Sequence, residues 1–195
     1  MNQALASAYN LEKLNFLLVD DDKHMLKIVK SVLNGLGVKS IHLAGDAMEA
    51  MKVMDDFPID IVILDYNMTP INGVTFARMV RDTSKSPSPF VPIIMLTAHT
   101  EFNRITEARD AGIHEYLAKP VSATNLYSRI ATIIKNPRPF IRVGGDHSFF
   151  GPDRRRRSML SYEGRERREP RVGTETVTDQ VSKPPSNNYQ QRNAQ

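Results

Sequence analysis

The chain has 195 residues, 26 Lys+Arg against 22 Asp+Glu and no cysteine. That leaves room for one ordinary domain plus an extension, and it excludes a disulfide framework, a thiol nucleophile and a thiolate metal site. Residues 1–135 hold 14 basic and 15 acidic side chains while residues 136–195 hold 12 and 7, so the basic character belongs to the extension and is no argument for nucleic-acid binding by the rest. No apolar run approaches the roughly 18 to 20 residues that span a bilayer, and Met1 to Tyr9 is small and polar rather than basic-then-apolar like a signal peptide. The cytoplasm is the expected location.

After an N-terminal segment, residues 1–13, a domain over 14–135 alternates strand-like and helix-like patterns five times. Strands are predicted near 16–20, 39–43, 60–65, 92–96 and 114–118, with helices near 24–36, 47–56, 73–82, 101–111 and 122–135. Leu26, Val29, Val32, Leu33 and Leu36 form one apolar stripe on the first helix, and Gly35 and Gly37 suit its C-terminal cap. Asp46 with Glu49 reads as an N-cap and its reciprocal partner, Pro58 lies just past that helix, and Ser122 suits the N-cap of the last one. This alternation implies an α/β domain, a doubly wound five-stranded parallel sheet with helices on both faces.

From Asn136 the pattern stops. Asn136-Pro137-Arg138-Pro139 breaks the last helix, and Gly144-Gly145, Phe149-Phe150 and the run Arg154 to Arg157 follow. A second basic group is Arg165, Arg167, Arg168 and Arg171. The extension, 136–195, reads as a largely irregular tail, too polar to order from about residue 174.

The chemistry sits where apolar runs end. Phe16 to Val19 leads into Asp20-Asp21-Asp22, Ile61 to Leu64 into Asp65, Ile93 to Leu96 into Thr97, and Tyr116 to Ala118 into Lys119. Ligands of open parallel sheets bind at the carboxyl ends of the strands, so these residues converge on one pocket. Close carboxylates repel unless a cation joins them, and Mg²⁺ is the natural partner of oxygen ligands that include phosphate and water. Lys119 and Thr97 can each donate to a phosphoryl oxygen; alone, the first reads as a snorkelling surface lysine and the second as a cap. Asp65 stands apart from the acidic pair at the central strand and is the candidate nucleophile for an aspartyl phosphate. The backbone carbonyl of Asn67 could complete the metal shell.

Phe16-Leu-Leu-Val-Asp-Asp-Asp, Ile63-Leu-Asp-Tyr-Asn-Met, Leu96-Thr-Ala and Tyr116-Leu-Ala-Lys-Pro resemble, in order and spacing, the receiver domain of two-component response regulators, chemotaxis-regulator type. The resemblance spans residues 14 to about 135. It implies a flavodoxin-like sheet of order 2-1-3-4-5, Asp65 as phosphoacceptor, Asp20 and Asp21 as the acidic pair, metal contact by Asp65 and by the Asn67 carbonyl, and phosphoryl contacts from Thr97 and Lys119. It also implies that Tyr116 is the aromatic switch, that Mg²⁺ is required, and that the protein is a signalling phosphoacceptor rather than an enzyme acting on other substrates. The partners implied are a sensor histidine kinase or histidine phosphotransfer protein and a downstream protein target at the fourth- and fifth-helix surface. Asp22 reads as a first-turn helix charge. The family usually has proline four residues after the phosphoacceptor, where this chain has Thr69 followed by Pro70. His99 falls at a variable position that in the family influences phosphoryl lifetime, and His24, His42, His114 and His147 show no metal spacing.

Two other readings compete. An aspartyl-nucleophile phosphatase needs an acid two residues after the nucleophile, where Asn67 stands. A nucleic-acid- or protein-binding regulator acting through the arginines would bind phosphate backbones non-specifically, yet no pair of amphipathic helices supports a helix-turn-helix. Phe149-Phe150 ahead of the arginines suits docking to an acidic protein surface, including that of the domain itself.

Overall fold

Uninterrupted runs of Val, Ile and Leu are stable only as strands covered on both faces, and the computed structural model builds them so. It describes residues 9–98, 102–143, 149–153 and 174–176. In chain order the elements are β1 (Asn15–Val19), α1 (Lys23–Gly35), β2 (Ser40–Ala44), α2 (Ala47–Asp56), β3 (Ile61–Asp65), α3 (Gly73–Arg81), β4 (Ile93–Thr97), α4 (Phe102–Asp110), β5 (Glu115–Ala118) and α5 (Ala123–Lys135). The five strands are parallel in the order β2-β1-β3-β4-β5. This is the doubly wound order expected, and every element lies within a residue or two of its predicted span.

Strand alternation divides the core in two. Phe16, Leu18, Ile61, Ile63, Ile94 and Leu96 pack with Leu26, Val29 and Leu33 of α1 and Leu126, Ile130 and Ile133 of α5. Leu17, Val19, Val62, Leu64, Ile93 and Met95 face Ala50 and Met54 of α2, Phe76 and Val80 of α3 and Ala108 of α4. Because β3 and β4 are buried at every position, a polar side chain can reach solvent only where these strands end.

The helix ends follow the sequence signals. Asp46 accepts from the Met48 and Glu49 amides, and Glu49 reaches back to the Gly45 amide at 2.6 Å, one residue earlier than in the usual reciprocal box. Ser122 caps α5 through the Asn125 amide. Gly37, at φ 91°, closes α1: its amide donates to Asn34 and that of Val38 to Leu33, which requires the left-handed region that glycine alone enters freely. Asp22 is a correction to the sequence reading. It is not a charge within the first turn but the N-cap itself, accepting from the His24 amide at 2.7 Å.

The extension departs from expectation. Among the described residues it contributes β6 (Phe140–Val143), β7 (Phe149–Pro152) and β8 (Thr174–Thr176), an antiparallel sheet of order β7-β6-β8. The last described strand, β8, ends at Thr176. Backbone pairing to β6 supplies what the polar side chains of this segment cannot.

The β6–β7 hairpin packs on the domain where β4 and β5 begin, at the opposite end from their terminal Thr97 and Ala118. The Phe90, Phe140 and Phe150 rings form a triangle with centroids 5.0 to 5.4 Å apart. The Arg81 guanidinium lies 5.2 Å from the Phe140 ring centre while donating to the carbonyls of Pro89, Val91 and Gly112. Burial lowers its pKa to about 9. A side chain on Gly151 would strike the Gly112 backbone at 2.9 Å, so the two segments meet backbone to backbone. Arg138 holds the hairpin's root, donating to the His114 carbonyl and pairing with buried Glu115 at 3.4 Å, which Arg129 also meets at 3.3 Å. Phe150 of the aromatic pair thus packs on Phe90 of this domain and on Phe140. Arg154 to Arg157, Arg165, Arg167, Arg168, Arg171, His99 and His147 lie outside the described residues. Among the described residues no helix is long and apolar enough to cross a membrane.

Phe140→Ala empties a site 9 % exposed and should cost about 3 kcal/mol, read as a lower urea midpoint at unchanged slope. His114 gives a pH signature. It is buried, its Nδ1 accepts from the Ile93 amide, and burial first, then the charges of Arg81 and Arg138, hold its pKa well below 6.5. The folded protein keeps it neutral and the unfolded chain protonates it. Its contribution is complete above the unfolded value and falls as pH drops toward 5, by at most about 1.4 kcal/mol per unit. Urea midpoints at several pH values should show this slope, and His114→Gln should flatten it.

Candidate functional site

The ends of β1, β3, β4 and β5 bring together residues far apart in sequence. Asp20 follows β1 and Asp65 closes β3, each 5 % exposed, and Thr97 closes β4, also 5 % exposed. The Lys119 amide donates to the Thr97 carbonyl at 2.8 Å, extending the β4–β5 ladder by one step so that its side chain turns toward β3 and β1. Its Nζ lies 2.8 Å from Asp65 Oδ1 and 3.2 Å from Asp20 Oδ2. Burial alone would lower the Lys119 pKa, but the hydrogen bonds and charges of Asp65 and Asp20 outweigh it and leave it raised. Asp20 is raised too, first by burial and also by the Asp65 charge, against the Asp22 amide and Lys119.

Asp20, Asp21 and Asp65 each place a carboxylate oxygen within 4.8 Å of the others. Three carboxylates and one ammonium leave a formal charge of −2, all from hard oxygen donors. A divalent cation of the Mg²⁺ kind fits both counts. Asn67 is exposed, and its amide donates to Asp65 Oδ2 at 3.1 Å, orienting the carboxylate it follows. Tyr116 is half-buried on β5 against the β4 face of the core, and burial raises the pKa of its hydroxyl.

Two residues went unnoticed as parts of the site. A side chain on Gly73 would lie 2.1 Å from the Asp65 carbonyl oxygen, so α3 begins in contact with the backbone of the candidate nucleophile. In the sequence Gly73 stood only at the start of the helix predicted near 73–82. Thr69, noted as a departure in the loop, donates its amide and hydroxyl to Asp21 Oδ2 at 2.9 and 3.1 Å.

Residues 16–131 match the response regulator receiver domain. The chain belongs to this family. The receiver is 31 % identical to the chemotaxis protein CheY of Pseudomonas aeruginosa over 132 residues, 68 % of this chain and 100 % of that protein. It is 29 % identical to CheY-3 of Vibrio cholerae over 124 residues, 64 % and 94 % of the two chains. The solved structure of Vibrio cholerae CheY4 aligns with a TM-score of 0.57 at 28 % identity, covering 62 % of this chain and 98 % of that one. The β6–β8 sheet lies beyond the matched range.

Gly73→Ala forces the Asp65 backbone aside, and the loss expected is about 2 kcal/mol. A lower denaturation midpoint, together with shifted Asp65 and Tyr66 amide resonances, would register it.

Proposed function

We propose that the receiver is a phosphorylation switch of two-component signalling in the cytoplasm, with Asp65 as phosphoacceptor, Mg²⁺ as cofactor and a sensor histidine kinase or histidine phosphotransfer protein as donor. One observation carries the reading: Lys119 Nζ lies 2.8 Å from Asp65 Oδ1, on the carboxylate that would receive the phosphoryl group, inside a cluster of three carboxylates at strand ends.

In the transfer, an Asp65 oxygen attacks phosphorus, a P–O bond forms as the donor's P–N bond breaks, and the donor imidazole leaves with the electron pair. Asp65 needs no proton removed, because it attacks as a carboxylate. When bound, Mg²⁺ neutralises charge on the transferred group and its acceptor; Asp20, Asp21, Asp65 and the Asn67 carbonyl would hold it. Lys119 keeps its ammonium charged and shifts from Asp65 and Asp20 toward the new phosphoryl oxygen. Thr97, at the end of β4, offers a hydroxyl to another. The acyl phosphate carries about −1.5 to −2 charges in place of the carboxylate's −1, and drawing Thr97 toward it frees space for Tyr116 to turn inward, altering the α4–β5–α5 surface that a downstream protein reads.

Intact mass after incubation with acetyl phosphate tests this. The expected result is a gain of one phosphoryl group that requires Mg²⁺ and disappears in Asp65→Asn. An equal gain in Asp65→Asn would place the chemistry elsewhere.

A further inference from the structure

Asp21 is held differently from the other two acids. Asp20 and Asp65 engage both oxygens: Asp20 Oδ1 accepts from the Asp22 amide and Oδ2 from Lys119, while Asp65 Oδ1 meets Lys119 and Oδ2 the Asn67 amide. Asp21 is exposed, and its Oδ2 takes two donors from one residue, the Thr69 amide at 2.9 Å and the Thr69 hydroxyl at 3.1 Å. An exposed carboxylate otherwise samples several rotamers and a broad range about its last torsion. Two donors on one oxygen fix both and leave Oδ1 for a cation. Proline, usual at this place in the family, has neither an amide proton nor a hydroxyl, so the clamp cannot form there.

We infer that Thr69 is a positioning residue for the divalent cation, holding Asp21 in its binding orientation. The inference rests on the reading of the acidic cluster as an Mg²⁺ site. Thr69 touches neither the reacting atoms nor the phosphoryl group; it acts through Asp21 alone. Its removal should therefore weaken Mg²⁺ binding and leave the chemistry intact once the cation is saturating.

The test is calorimetric titration of MgCl₂ into the full-length chain as wild type, Thr69→Val, Thr69→Ala and Thr69→Ser, with urea midpoints measured in EDTA. Losing the hydroxyl while keeping the amide should raise the Mg²⁺ dissociation constant about fivefold in the valine and alanine variants, and serine should restore it. Phosphorylation by acetyl phosphate should slow in Thr69→Val at limiting Mg²⁺ and recover at saturating Mg²⁺. Equal Mg²⁺ affinity in wild type and in folded Thr69→Val and Thr69→Ala would overturn the clamp and leave the metal site standing. A wild type that takes up no Mg²⁺ would overturn the metal site and the clamp with it.

Discussion

Asp20 and Asp65 are carboxylates that water barely reaches, and one ammonium, Lys119, stands between them. Removing a charge from water costs several kcal/mol even after relaxation, so neither acid would persist at a strand end without a cation beside it. Lys119 supplies one positive charge against two. With Asp21 the formal deficit becomes two charges, which is the charge a divalent ion would balance. The same arrangement leaves Lys119 able to change partner without leaving the pocket.

That constraint dictates the architecture. The three polar groups closing β1, β3 and β4 are brought within reach of one another only because these strands are adjacent and parallel, and the crossovers through α1, α2 and α3 make them so. Wholly apolar strands are the price of the arrangement, since each must be covered on both faces before its last residue can face a pocket. Gly73 tightens it further by allowing α3 to start against the Asp65 backbone.

Legibility in the sequence followed the range of the interactions. Local signals read well: Asp46 and Ser122 cap their helices, Gly37 ends α1, and the apolar runs of β3 and β4 announce a two-sided sheet. The strand-end polar residues were legible for the same reason, because a charged residue closing an apolar run has few other uses. What depended on distant partners was not. Phe140 looks like an ordinary ring in a polar tail until Phe90 and Arg81, far earlier in the chain, are placed against it. Pro139 and Pro152 border strands whose pairing only the fold reveals. Thr69 was visible as a missing proline, but its two donors acquire a purpose only when Asp21 is brought alongside from 48 residues away.

The hairpin also changes where the receiver ends as a module. A boundary drawn after α5 would leave Arg81, His114 and Phe90 without their cover, and whatever protein was spliced on would depart from the tip of a helix. With the hairpin retained, Asp153 lies beside the starting ends of β4 and β5, its amide bonded to the Pro139 carbonyl. A fusion built on this receiver would therefore keep β6 and both strands that pair with it, β7 and β8, and be joined after Thr176 rather than after α5.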